Sequence, residues 1–109
     1  MSKVTKERWK KKRTDESRKV EEVLRQVFPR TDAYRYNPAS IRVRIVDERF
    51  EGKSTDKRDT LVEPLLEQLP ENLQSDIMSL LMLSPSETSK SLKAELANLE
   101  FEEPSPSIL

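Results

Sequence analysis

The chain has no cysteine, no histidine and a single glycine among its 109 residues. Without cysteine there is no disulfide framework, no thiolate nucleophile, and no zinc finger or iron–sulfur site held by its own sulfur. Without histidine the commonest metal ligand and the commonest general base are missing. Together the two absences exclude most familiar catalytic constellations. Aromatic residues are scarce at 6%, and hydrophobic residues reach 34% against 37% charged, so the apolar surface available for burial is modest. No apolar run approaches the length of a bilayer span, and no apolar stretch follows the N-terminal charges as it would in a signal peptide. A cytoplasmic chain with no membrane partner is the expectation. The length fits one compact domain and leaves no room for two independent cores.

The formal net charge is zero, but it is unevenly distributed. Residues 1–13 hold seven cations (Lys3, Lys6, Arg8, Lys10, Lys11, Lys12, Arg13) against Glu7, a balance of +6, so residues 14–109 sum to −6. Such a block repels itself and stays solvated, which suits a flexible arm for an anionic partner or a solubilising tail. The expected organisation is a basic arm over 1–13, a single α+β domain over 14–100, and a disordered acidic, proline-containing tail over 101–109.

Thr14, Asp15, Glu16 and Ser17 offer capping side chains and negative charge for a helix start. Val20, Val23, Leu24, Val27 and Phe28 then recur with the spacing of one buried helical stripe, which Pro29 stops. From Ala33 to Val46 the period changes to two. Tyr34 and Tyr36 flank Arg35, and Ile41, Val43 and Ile45 flank Arg42 and Arg44, which predicts a hairpin. With Asn37-Pro38-Ala39-Ser40 as a four-residue loop, Tyr36 faces Ile41, Tyr34 faces Val43, and Arg35 lies opposite Arg42. Two arginines across a ladder repel, so that face needs carboxylates, a stacked ring or an anionic ligand.

Gly52 predicts a sharp turn before a second helix bearing Leu61, Val62, Leu65, Leu66 and Leu69, which Pro64 should kink or divide. Pro70 and Asn72 mark a connection. The apolar run Ile77 to Leu83 reads as a third strand covered on both faces. Ser84-Pro85-Ser86-Glu87 has the form of a capping box with proline at the first helical position. A last helix therefore begins near Pro85, carrying a Leu92, Leu96, Leu99 stripe to cover the second sheet face or to dock another chain.

The string Ile45-Val46-Asp47-Glu48-Arg49-Phe50-Glu51-Gly52-Lys53-Ser54, then Arg58 and Leu61-Val62, resembles the signature of the BolA family. There a strand enters a Phe-x-Gly turn and an Arg-His-Arg triplet opens the next helix. Ile77-Met78-Ser79-Leu80 and Ser84-Pro85-Ser86-Glu87 are similar to the family's third strand and last helix start, so the likeness spans roughly residues 18–90. It implies a class II KH-like α-β-β-α-β core with a three-stranded sheet and an added C-terminal helix, and it singles out Phe50, Gly52, Lys53, Ser54 and Arg58. The chain departs from the pattern where the family holds metal. Arg58 is followed by Asp59 and Thr60, Met78 stands where the family's ligand histidine would be, and the hairpin loop offers no soft ligand. The implied member binds no cofactor and no iron–sulfur cluster.

Two functions follow as expectations. A regulatory, nucleic-acid-binding module would use Lys10, Lys11, Lys12 and Arg13 for phosphate contacts with DNA or RNA. Arg35, Arg42, Arg44, Lys53, Lys57 and Arg58 would add contacts from the fold, and Trp9 would stack on a base. Only one glycine is present, whereas an RNA-binding KH loop uses a Gly-x-x-Gly. Gly52-Lys53-Ser54 mimics the end of a Walker A motif without its earlier glycine, so it serves better as a turn and helix cap. The alternative is an adaptor that docks a protein partner through the last helix and the apolar third strand. Catalysis is not expected. Asp56, Asp59 and Glu63 share a helix face, but no base, nucleophile or oxyanion element accompanies them.

Overall fold

The structure, a computed structural model, describes residues 8–107. A 3-10 turn, Arg8–Lys12, precedes helix α1, Asp15–Leu24. Thr14 and Ser17 cap α1 reciprocally: the Ser17 amide donates to the Thr14 hydroxyl at 3.1 Å and the Thr14 amide to the Ser17 hydroxyl at 2.9 Å. Val20, Val23 and Leu24 are buried, while Val27 lies beyond the helix end and is left partly exposed. Strands β1, Thr31–Asn37, and β2, Ser40–Val46, form an antiparallel hairpin.

The register differs from that expected. Tyr34 lies opposite Arg42, Arg35 opposite Ile41 and Ala33 opposite Val43. The cause is the turn. The Asn37 side-chain oxygen accepts the Ala39 amide at 2.8 Å and the Ser40 hydroxyl at 3.0 Å. This Asx turn tightens the loop to Pro38-Ala39, pairs Asn37 with Ser40, and leaves an irregularity between Arg35 and Asn37. A one-residue slip exchanges sheet faces, so Tyr34 shares its face with Arg42 rather than with Val43.

Beyond β2, Asp47 caps a short 3-10 turn, Glu48–Phe50, and Gly52 takes φ +72°. Ser54 then caps helix α2, Thr55–Leu66. The path from central strand through glycine bend into a packed helix is thus as the sequence suggests. Pro64 does not divide α2, which ends two residues later. The segment expected as a connection forms helix α3, Glu71–Asp76. Strand β3, Ile77–Leu83, runs parallel to β2, and the sheet order is β1-β2-β3. β3 is therefore an edge strand, and only part of it is covered: Leu80 and Met82 pack on one face and Leu81 on the other, whereas Met78 is 70% exposed. The capping box at Ser84 and Glu87 opens helix α4, Pro85–Lys90. Ser91 interrupts the expected single helix and caps a separate one, α5, Leu92–Glu102.

The fold is α+β with a three-stranded mixed sheet between two apolar layers. In the larger layer, Val20, Leu24 and Phe28 meet Ala33, Val43, Ile45, Phe50 and Val62, with the Phe28 and Phe50 rings stacked 5.5 Å apart. On the opposite face Trp9, Tyr34 and Phe101 form a second cluster, with Tyr34 and Phe101 edge to face at 4.9 Å. That cluster corrects both expected boundaries. Trp9 lies in the presumed arm yet is buried, and Phe101 lies in the presumed tail yet is helical and buried. Tyr36 donates to the Ser105 carbonyl at 2.6 Å, and the Asn37 amide to the Ser107 hydroxyl at 2.9 Å, so the described part of the tail also returns to the hairpin. Residues 1–7 of the arm and 108–109 of the tail lie outside the described residues.

Candidate functional site

The arginines that sequence reasoning assigned to nucleic acid are engaged within the chain. Arg44, on β2, is buried under α5, where its guanidinium meets Asp32 at 2.7 Å, Glu102 at 2.7 Å and Asn98 at 3.1 Å, and lies 4.6 Å from the Phe101 ring centre. Arg42 meets Glu100 at 3.2 Å and stacks 3.8 Å over the Tyr36 ring. Of the partners that the hairpin face required, the fold supplies both carboxylates and rings. Arg35 sits elsewhere, bonded to Glu16 and Asp76 at 3.0 Å each and to the Asn37 and Pro38 carbonyls. Arg13 pairs with the buried Glu21.

Arg58 closes a third junction. It donates to the Lys53 carbonyl at 2.9 Å and to the Met82 carbonyl at 2.8 Å, and it grips both Glu87 oxygens at 2.8 and 3.1 Å. The Arg58 fork holds the Glu87 carboxyl below the usual carboxylate range. Three further residues of the BolA-like string are structural as well. Phe50 is in the main core, Gly52 adopts the left-handed turn, and Ser54 caps α2 with its hydroxyl 3.3 Å from the Lys57 amide. Lys53 and Lys57 are exposed at the start of α2.

Lys10, Lys11 and Lys12 are exposed, with Lys10 5.8 Å from the Trp9 ring and Lys12 5.8 Å from the Tyr36 ring. The assigned cations therefore occupy separate places: the Trp9 and Tyr36 rings with Lys10, Lys12, Arg42 and Arg44; the β1 rim with Arg35; and the α2 start with Lys53, Lys57 and Arg58. They do not converge on one groove. Among the described residues no group of three or more acidic side chains is placed to hold a metal ion.

The fold also leaves an apolar stripe outward. On α5 the inward face carries Ala94 and Phe101, and the opposite face carries Leu92, Leu96 and Leu99, which are 70%, 58% and 52% exposed. α5 thus covers the second sheet face, but not with the leucine stripe that marked it in the sequence. Its two faces both carry apolar residues, and small Ala94 was an unremarkable signal beside three leucines.

No family model, curated protein or solved structure matches the chain. The likeness to BolA proteins rests on the residues quoted for it. Among the described residues no helix is long and apolar enough to cross a membrane.

Proposed function

We propose that the chain is a non-catalytic protein-interaction module that docks a partner chain through the outer face of α5 and the β3 strand. One observation carries this reading: Leu92, Leu96 and Leu99 face solvent while the helix that bears them is already packed by its other side. A helix needs only one apolar stripe to hold its place, so a second stripe is surplus to folding and suits association. The nucleic-acid reading is weaker. Arg35, Arg42, Arg44 and Arg58 are committed to carboxylates inside the chain, and the exposed lysines that remain are divided between two regions. The BolA-like reading, without metal, is compatible with either role and decides between neither.

The test is a capture experiment from cell extract with the intact chain, at low and raised salt. It is repeated with Leu92, Leu96 and Leu99 all replaced by Ser, and with Lys10, Lys11 and Lys12 all replaced by Gln. Truncating residues 1–13 is the wrong control, because it also removes Trp9 from the second cluster. The reading expects capture that resists salt and is lost with the leucines alone. Capture that vanishes with salt and with the lysines would replace it with an electrostatic target.

A further inference from the structure

A three-stranded sheet has two edges, and this one treats them differently. Along β1, α1 plugs the backbone: the Ala33 amide donates to the Glu21 carboxylate at 2.8 Å, and Arg25 donates to the Thr31 carbonyl at 2.9 Å. Arg35 covers the end of the same edge through the Asn37 and Pro38 carbonyls. Such plugging is how proteins prevent strand addition. On β3 the Leu83 carbonyl accepts the Asp47 amide at 2.9 Å, which turns residue 83 toward β2. Strand alternation then turns the backbone groups of Met82 and Leu80 outward. The Met82 carbonyl is taken by Arg58. Outside the β2–β3 ladder the Leu80 amide, the Leu80 carbonyl and the Met82 amide make no hydrogen bond among the described residues, and the alternation points them away from that ladder. No charge, proline or glycine interrupts Ile77 to Leu83, so the usual deterrents on an edge are missing there.

The space beside this edge is bounded. A cavity of about 250 Å³ is lined by Leu80 to Leu83, by Thr55 and Arg58 of α2, and by Ala94 and Ala97 of α5. It shares Leu81 and Ala97 with a second cavity of about 190 Å³ that continues past Ser79. Ala94 and Ala97 present only methyl groups, which leaves room for the side chains of an added strand. Helices α2 and α5 both line this space, so it admits one strand, whereas a second copy would bring its own helices against them. Of the lining cations, Arg42 and Arg58 are neutralised by Glu100 and Glu87, and Lys93 is unpaired among the described residues.

We propose that this trough binds an extended segment of another protein as a fourth strand on β3. The segment presents apolar side chains to Leu81, Ala94 and Ala97 and a carboxylate to Lys93, while its backbone bonds Leu80 and Met82. The inference deepens the interaction-module reading by naming the partner's form, and it rests on that reading.

The test uses the full chain and a phage-displayed library of random linear peptides, with selected peptides synthesised and titrated. Binders are expected to alternate apolar residues and to include Asp or Glu, and binding should slow amide hydrogen exchange at Leu80 and Met82. Lys93→Glu should weaken them about fivefold, the loss of one exposed ion pair. Ala97→Met should fill the trough and weaken them at least about tenfold, a loss of about 1.4 kcal/mol or more, within the range that overpacking brings. The exchange readout uses the unmodified chain and stands even if Ala97→Met does not fold. A library that yields no binder, or binders that leave Leu80 and Met82 unprotected, overturns the proposal. If those binders instead lose affinity on replacement of Leu92, Leu96 and Leu99, the strand mode falls and the interaction module stands. If the leucine replacements also leave extract capture intact, both fall.

Discussion

Arg58 shows how a residue selected as a ligand contact in the sequence can be consumed by the fold. Its guanidinium joins the α2 start, the end of β3 and the α4 capping box, and only the bidentate planar fork of arginine meets all three. The Glu87 carboxyl, held below its ordinary range first by Arg58, gives the junction a pH signature. A folded pKa below the unfolded one means the stabilisation is complete above about pH 4.3 and is lost as pH falls through the depressed folded value. Glu87→Gln should therefore flatten the acid limb of melting temperature against pH, relative to the unmodified chain, while changing it little in shape near neutrality. An unchanged acid limb would place the titration elsewhere. The sequence held Arg58 and the Ser84–Glu87 box as two separate signals, and nothing in spacing along the chain could join them, because the contact is made across the fold.

At the scale of elements, local chemistry was legible and relative placement was not. The Ser54 cap, the Gly52 bend, the Ser84 box and the strand periods are all where short-range rules put them. The hairpin register was not, because the Asn37 side chain takes the Ala39 amide and the Ser40 hydroxyl and shortens the loop. That one step moved Tyr34 from the main core to the second layer, and with it the meaning of Arg42. The leucine stripe misled for a related reason: period identifies an apolar face but not which of two faces meets the sheet. Gly52 offers a direct check. A Cβ there would meet nothing within 4 Å, so the cost of Gly52→Ala is backbone strain alone. Urea unfolding should show a loss of about 1–2 kcal/mol, smaller for Gly52→Asn. A neutral alanine variant would mean that the bend is not held in the left-handed region.

For the whole molecule, the second cluster sets the domain's true extent. Composition could flag residues 1–13 as basic, but it could not show that the single tryptophan within them packs on Tyr34 and Phe101. Trp9→Ala should lower stability by about 3 kcal/mol in denaturant unfolding, as large-to-small core changes do. Replacing Lys10, Lys11 and Lys12 by Gln should leave it within about 0.5 kcal/mol. Equal effects would return the segment to the role of a solvated arm.

Trp9 and Phe101 stand far apart in the sequence, yet they touch, with ring centres 5.5 Å apart. On a ribosome the first of them emerges long before the second has been made. The sheet can assemble against α1 and α2 in the meantime, but its other side stays bare until α5 has been made. A nascent chain stalled before α5 would expose Tyr34 and Trp9 together, and those rings are where a holding chaperone would be expected to grip.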